Sequence, residues 1–197
     1  MILASASPQR RAILEQVGIP FVVRPAHVPE ETAGDPLVVA EENARRKAVA
    51  VAASIVADPV VGTSAPAAAA GLLVLGADTD VALDGEILGK PADDDQARAF
   101  LARLAARTHA VVGGIALAQE GAVVATAVEV TEVRFRPASA ALIEWYVRTG
   151  EWRGRAGGYA IQGAGAALVA AIEGDYLNVV GLPLARLLDL RPDLLPD

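Results

Sequence analysis

Apolar side chains recur every three or four positions in two stretches near the start of the chain, which predicts two amphipathic helices. Ser7 followed by Pro8 is typical of a helix start, because serine can cap the first turn and proline fits its first position. That helix is expected to end at Gly18. Pro36 begins a longer predicted helix, which ends at Asp58. The apolar stripe of this second helix consists of Leu37, Ala40, Ala44, Ala48, Val51 and Ile55.

Continuous and alternating apolar runs predict the strands of a sheet. Asp-Gly at 84–85 is typical of a hairpin turn, and Glu-Gly at 120–121 separates two long runs. Asp93, with Gln96 three residues later, resembles a capping box and opens a further helix. Helices mixed with antiparallel hairpins indicate a mixed α/β (α+β) fold. The predicted strands cover residues 2–4, 21–24, 72–75, 80–83, 108–118, 122–136 and 168–172, and the further helices residues 93–105, 139–148 and 183–190.

The composition fits one globular domain over residues 1–197. Hydrophobic residues make up 53% of the chain and charged residues 21%, which excludes a disordered protein. The absence of cysteine excludes disulfides, thiolate metal sites and a cysteine nucleophile. A low-complexity stretch at 58–71 is predicted to be a surface loop.

The formal net charge of -7 argues against a nucleic acid partner, because binding to duplex DNA needs a basic surface. A small anion needs only local cations or a helix N-terminus. The first residues, MILASASPQRR, lack the apolar core of a secretory signal. No run reaches the roughly 18–20 apolar residues of a membrane span. We therefore expect a cytoplasmic protein that does not contact membranes.

The segment ASASPQRR combines a predicted helix start with two arginines. The helix N-terminus carries partial positive charge, and Arg10 and Arg11 add full charges, so the segment can form a cradle for an anion. The alternative interpretation is an ordinary capped helix with solvated arginines. By itself, the segment favours this second interpretation.

The segment GADTDVALDGEILGKP places two carboxylates at the end of an apolar strand. If the strand continues, its period of two puts Asp78 and Asp80 on one face. A hairpin would then bring Lys90 near Asp78. A carboxylate can hold Mg²⁺ or activate water, and a lysine can bind a phosphate. A polar strand end with a solvated lysine explains the same pattern equally well.

Four further polar residues are candidates for the functional site, although their sequence patterns are less specific. Glu30 and Glu31 follow the second strand, and Lys47 lies at the edge of the apolar stripe of the long helix. Gln162, among small residues in GYAIQGAG, offers an amide that suits the edge of a nucleotide base. Solvated charges and a glycine-rich turn are the ordinary alternatives.

The two histidines, His27 and His109, have no evident nucleophile partner, so no Ser/His/Asp triad is predicted. His109 is expected to be a structural hydrogen-bonding residue. The sequence also lacks the phosphate-binding GxxxxGK[ST] loop and the GxGxxG fingerprint of dinucleotide-binding folds.

Taken together, five segments resemble the Maf family of nucleoside triphosphate pyrophosphatases, and in particular its dTTP/UTP pyrophosphatase subgroup. The resemblance runs almost end to end, and its specificity comes from the order and spacing of LASASPQRR, ENARRKA, GADTDVALDGEILGKP, RAGGYAIQG and EGDYLNVVGLP. It implies an elongated, two-lobed α/β molecule around a central mixed sheet with a cleft, similar to the inosine triphosphate pyrophosphatases. It further implies homodimers and hydrolysis of a nucleoside triphosphate to monophosphate and pyrophosphate, dependent on Mg²⁺, Mn²⁺ or another divalent cation.

The resemblance assigns roles to individual residues. Asp78 matches the catalytic carboxylate, Lys90 a catalytic lysine, and Glu30 a catalytic acidic residue that would also hold the metal together with Asp78. Glu31 takes the place of Glu30 if one residue is inserted. Thr79 and Gln162 match positions that go with thymidine and uridine nucleotides, and the subgroup that resembles 7-methyl-GTP hydrolases differs at both. The substrate-binding residues implied by the resemblance are Ser7, Arg10, Lys47, Thr79 and Gln162.

The chain departs from the family pattern at several positions. Gln9 replaces an arginine that takes part in the choice of base, and Gly154-Arg155 replaces Asp-Lys. Asp80 stands where an apolar residue is usual, and it is either a second metal contact or faces solvent. Residues 64–70 resemble an insertion away from the site. Crowding of Asp78, Glu30 and Asp80 predicts raised carboxylate pKa values without metal.

The function predicted from these residues is a house-cleaning pyrophosphatase for dTTP, UTP and modified pyrimidine nucleotides. Gln9 leaves open a purine-directed or 7-methyl-GTP-directed pyrophosphatase. The family resemblance also leaves open a regulatory protein that acts on cell division and septum formation.

Overall fold

A mixed sheet forms the centre of the computed structural model, which describes residues 1–57 and 71–195. Within these residues seven strands run in the order β2-β1-β3-β5-β6-β7, and β4 pairs with the end of β3. β1 is parallel to both β2 and β3, and the remaining pairs are antiparallel. The strands are β1 (Ile2–Leu3), β2 (Val22–Val23), β3 (Val74–Leu83), β4 (Glu86–Leu88), β5 (Thr108–Gln119), β6 (Ala122–Phe135) and β7 (Val169–Glu173). The predicted mixed α/β class is confirmed.

The helices begin where the capping patterns predict. Ser7 caps α1 by accepting a hydrogen bond from the backbone of Arg10, and Asp93 caps α3 in the same way through Gln96. No helix within the described residues, the 22-residue α2 included, is long and apolar enough to span a membrane. The helices are α1 (Pro8–Gln16), α2 (Pro36–Ala57), α3 (Asp94–Leu104), α4 (Ala140–Arg148), α5 (Tyr176–Val180) and α6 (Leu184–Leu190), with 3-10 turns at Ala156–Gly158, Ala164–Leu168 and Pro192–Leu194.

β3 is one continuous strand, whereas the sequence predicted two shorter ones at 72–75 and 80–83. Its central residues, Gly-Ala-Asp-Thr at 76–79, stay in the ladder because each pairs with a residue of β5, from Ala116 to Gly113. The hairpin predicted at Asp84-Gly85 is confirmed, since β4 pairs antiparallel with the end of β3, whereas α5 was not predicted. The surface loop predicted at 58–71 and the insertion predicted at 64–70 lie outside the described residues, apart from Gly71.

Two glycines let α2 lie unusually close to the sheet. A Cβ atom on Gly76 would stand 2.1 Å from the backbone oxygen of Ala44, and one on Gly114 would stand 2.2 Å from that of Ala40. The facing side of α2 is made of alanines with no exposed surface, among them Ala48. This close packing brings the polar side chains of α2 within reach of β3.

Candidate active site

A cleft with a volume of about 650 Å³ lies between the start of α1, the middle of β3 and the segment 154–163. The end of α5 and residues 25–27 and 30 also line it. All eight residues to which the sequence analysis gave catalytic or binding roles line this cleft: Ser7, Arg10, Glu30, Lys47, Asp78, Thr79, Lys90 and Gln162. The fold therefore brings the whole predicted set together.

An ion-pair network joins two carboxylates and two lysines of the cleft. The Lys47 ammonium lies 2.6 Å from Asp78 Oδ1 and 2.6 Å from Glu30 Oε1. Lys90 Nζ lies 3.2 Å from Glu30 Oε2. Lys47 and Asp78 are both buried, whereas Lys90 is exposed. Because the buried pair joins α2 to β3, it depends on the close packing of this helix on the sheet.

Asn43 forms hydrogen bonds to the same network, and the sequence analysis missed it. Its Nδ2 donates to Asp78 Oδ2 at 2.9 Å and to the backbone oxygen of Glu31, also at 2.9 Å. Its Oδ1 accepts from the backbone of Glu31 at 2.8 Å. Asn43 precedes Lys47 by four positions, so both project from one face of α2, and this spacing was the signal available in the sequence.

The structure distinguishes Glu30 from its alternative Glu31. Glu30 lines the cleft, whereas the carboxylate of Glu31 pairs with Arg46. Burial alone would raise the pKa of Glu30, but hydrogen bonds and charges from Lys47 and Lys90 outweigh it and lower the pKa to about 2. The predicted rise of this pKa through crowding is therefore wrong, because two cations compensate the neighbouring negative charges.

Arg10 is anchored inside the protein rather than solvated. Its guanidinium donates to the Gly181 backbone oxygen at 2.8 Å, to Ser5 Oγ at 2.9 Å and to Thr79 Oγ1 at 3.2 Å. Thr79 in turn donates to the same Gly181 oxygen at 3.2 Å. The interpretation of this segment as a helix with solvated arginines is therefore wrong for Arg10. It fits Arg11, which is exposed and pairs with Glu15.

Three residues that the family resemblance connects with the choice of base line the cleft without forming one contact network. Ser7 Oγ donates to Gln9 Oε1 at 3.2 Å, so Gln9 is attached to the α1 cap. Thr79 is held by Arg10 and Gly181 on another element. Gln162 is exposed, on the segment 154–163.

Two further residues line the cleft. The sequence analysis treated Arg155 as a departure from the family pattern and gave His27 no role. Arg155, which replaces the family's lysine, lines it, and within the described part of the chain its buried Nε has no hydrogen-bond partner. His27 lines it as well, although no chemistry was assigned to it. His109, by contrast, is buried and hydrogen-bonded at 2.8 Å to the hydroxyl of Tyr159. Burial lowers the pKa of His109 to about 4, in keeping with the predicted structural role.

Asp80 is buried two positions beyond Asp78 on the same strand, so the alternative in which it faces solvent is wrong. Its Oδ2 has no hydrogen-bond partner among the residues that the structure describes. Burial, followed by the negative charges of Asp78 and Glu30, raises the pKa of Asp80 to about 7. The predicted direction of this shift is confirmed, with burial as its main cause.

The raised pKa of Asp80 predicts a pH-dependent loss of stability. The folded protein holds this proton more tightly than the unfolded chain between pH 3.8 and about 7, so the free energy of unfolding falls as pH rises through that window. We expect Asp80→Asn to raise the free energy of unfolding by about 2–4 kcal/mol at about pH 8 and by much less at about pH 4. Urea unfolding in EDTA at both pH values measures the difference. An equal effect at both pH values would contradict this assignment.

The two carboxylates at Lys47 are also the groups that would hold a divalent metal ion. Glu30 and Asp78 come from different elements and already surround one positive charge, the Lys47 ammonium. Within residues 1–57 and 71–195, no three or more His, Asp or Glu side chains are arranged to hold a metal ion by themselves. Mg²⁺ commonly uses one or two carboxylates together with water and phosphate oxygens. The donor set therefore fits a metal ion that also binds the phosphates of a substrate, and Asp80 does not complete a three-carboxylate group.

Comparison with known proteins identifies a matching family model and similar relatives. A family model described as Maf-like protein matches residues 1–192. A dTTP/UTP pyrophosphatase of Symbiobacterium thermophilum is 49% identical over 188 residues, which cover 94% of this chain and 89% of that protein. A dTTP/UTP pyrophosphatase of Pyrococcus furiosus is 43% identical over 192 residues, covering 96% of this chain and 93% of that protein.

The chain is also similar to a solved structure titled nucleoside-triphosphatase / dITP/XTP pyrophosphatase, from Mycobacterium abscessus. That structure is 23% identical to it, with a TM-score of 0.43. The similarity covers 71% of this chain and 75% of the other.

Proposed function

The chain belongs to the Maf family, and we propose that it is a nucleoside triphosphate pyrophosphatase acting on dTTP, UTP and modified pyrimidine nucleotides. The observation that carries this proposal is the cleft itself, in which Asp78 and Glu30 lie beside the cations of Lys47 and Lys90. Relatives that are 41–49% identical over most of the chain are named dTTP/UTP pyrophosphatase, which supports the same substrates.

We infer that Asp78 accepts the proton of the attacking water. The water oxygen forms a bond to the α-phosphorus, and the bond from that phosphorus to the bridging oxygen breaks, so that pyrophosphate leaves with its electron pair. For this role Asp78 is held in place by the Lys47 ammonium, which lies 2.6 Å from its Oδ1. Asn43 fixes the second carboxylate oxygen and so orients the group.

The cations of the cleft suit the leaving pyrophosphate. Lys90 is exposed, and its ion pair with Glu30 lies at the surface, so its ammonium can turn toward a phosphate. Arg10 is held rigidly by Ser5, Thr79 and Gly181, so its charge lies in a fixed place near the start of α1. Preorganised charges of this kind stabilise a transition state without reorganisation. A protein of net charge -7 can therefore bind a polyanion, because local groups set the field in the cleft.

We propose that Glu30 and Asp78 hold a Mg²⁺ or Mn²⁺ ion during the reaction. When bound, such an ion polarises the phosphate and neutralises its charge. We expect Mg²⁺ with a nonhydrolysable dTTP analogue to raise the melting temperature by mass action, and Glu30→Gln to reduce that rise. Thermal denaturation measures both effects. Glu120→Gln, in an exposed turn, is the matched control, and an unchanged rise in Glu30→Gln would refute the role of Glu30.

The experiment that tests the proposed function is pyrophosphate release with Mg²⁺ over canonical and modified nucleoside triphosphates. We expect the highest kcat/KM for dTTP and UTP. Preference for purine or 7-methyl-GTP substrates would keep the reaction and indicate that Gln9 changes the selectivity. No release from any nucleotide would favour the regulatory protein of cell division. Homodimers and a cytoplasmic location remain predictions of this proposal.

A further inference from the structure

Glu151 lines the cleft and binds the backbone of the segment that follows Gln162. Its Oε1 accepts a hydrogen bond from the backbone N–H of Ala164 at 3.0 Å, and its Oε2 accepts one from Gly165 at 2.9 Å. A Cβ atom on Gly163 would stand 1.7 Å from Glu151 Oε1. The carboxylate therefore packs directly against the backbone, at a place that only glycine leaves open.

The start of the same segment is held by a second side chain. The hydroxyl of Tyr146, on α4, accepts a hydrogen bond from the backbone N–H of Ala160 at 3.1 Å. The segment then turns back on itself, since a Cβ atom on Gly165 would stand 2.5 Å from the Ala160 oxygen. Residues 160–165 thus form a loop that is fixed at both ends, with the exposed Gln162 between them.

We propose that Glu151 is a positioning residue that sets the selectivity for the nucleotide base by fixing the loop that carries Gln162. The proposal rests on the proposed function, in which Gln162 contacts the base. The Gln162 side chain is exposed, so its placement depends on the backbone that carries it. Both partners of Glu151 are N–H donors, and a carboxylate offers two acceptors to them, whereas an amide offers one.

The test is Glu151→Gln, which keeps the size of the side chain and removes one acceptor. The selectivity ratio is kcat/KM for the preferred nucleotide divided by kcat/KM for a poor one. We expect this ratio to fall about tenfold, which is the effect of losing one charged hydrogen bond. The loss should come from KM of the preferred nucleotide, with kcat changed less than about twofold. Glu144→Gln, a change of the same kind on α4 at a residue paired with Arg98, is the matched control and should leave the ratio unchanged.

A double-mutant cycle shows whether Glu151 acts through Gln162. In a Gln162→Ala background, Glu151→Gln should not change the ratio further, because the group that it positions is gone. An equal fall of kcat/KM for all nucleotides, or a full effect in the Gln162→Ala background, would overturn the proposal. If Glu151→Gln does not fold, Gly163→Ala displaces the carboxylate with its charge intact and should lower the same ratio.

The proposed function and this proposal can fail separately. The preferred nucleotide is the one that the native protein itself hydrolyses best, so the ratio is defined even if that nucleotide is a purine. If the native protein hydrolyses none, amide exchange at Ala164 and Gly165 still tests the contacts. We expect Glu151→Gln to speed exchange at these two amides and Glu144→Gln to leave it unchanged, and equal exchange in both variants would overturn the proposal.

Discussion

Asp78→Asn is expected to lower kcat for pyrophosphate release by about 10²–10⁴-fold, the usual range for removing a general base. Asparagine fills nearly the same space, but its amide cannot take the proton of the attacking water, and it leaves the Lys47 charge without its buried partner. KM should change less than kcat, because Arg10, Lys47 and Lys90 can still bind the phosphates and Glu30 remains to hold the metal ion.

The matched control for this prediction is Asp84→Asn. Asp84 lies in the turn after the same strand, is exposed and pairs with Arg107. Its backbone is in the left-handed region, with φ 54°, which asparagine tolerates. We expect this variant to keep its activity within about twofold, as is usual for a surface substitution. If Asp78→Asn kept a tenth or more of the native kcat, another group would have to be the base.

Lys47→Met is expected to cause the largest loss of stability of any single substitution in the site. The substitution keeps most of the apolar volume but leaves the buried Asp78 and its neighbour Glu30 without the ammonium that lies 2.6 Å from each. Removing one partner of a buried ion pair costs about 3–5 kcal/mol. Pyrophosphate release should fall as well, because Asp78 loses the ammonium that holds its Oδ1 in place.

The pH dependence of this loss follows from Glu30. Lys47 is the main group that lowers the pKa of Glu30, so this carboxylate contributes stability above pH 4.5 that is lost as pH falls toward about 2. In Lys47→Met much of that contribution is already gone. The free energies of unfolding of the native protein and of Lys47→Met should therefore differ less at about pH 4 than at about pH 8. Urea unfolding at both pH values measures the difference. Lys90→Met, which removes an exposed cation from the same Glu30, should cost only about 0–1 kcal/mol, and equal losses in the two variants would contradict the prediction.

Local features of the fold were predictable because they depend on neighbouring residues. The cap at Ser7 and the helix that follows it need only a few adjacent positions. β3 was predicted as two pieces because Gly76 and Asp78 are poor strand residues, and only pairing with β5 keeps them extended. α5 was missed because its five residues carry too little periodicity.

The candidate site was predictable from the order of its motifs, but its contacts were not. The sequence could not separate Glu30 from Glu31, since the difference depends on Lys47 lying on one side and Arg46 on the other. The rise predicted for the pKa of Glu30 was wrong because the number of cations around it is a property of the folded chain. The role of Glu151 depends on backbone N–H groups, which no residue type reveals.

The hydrogen bond from Arg10 to the Gly181 backbone oxygen joins two parts of the chain that lie 171 residues apart in the sequence. Asn178, buried in the same segment, attaches it to β5 and β6 through the Val111 and Glu129 oxygens. A growing chain on the ribosome therefore holds Asp78 and Lys47 long before Arg10 has its anchor. We expect a chain that stops before Gly181 to lack this anchor and to release pyrophosphate poorly.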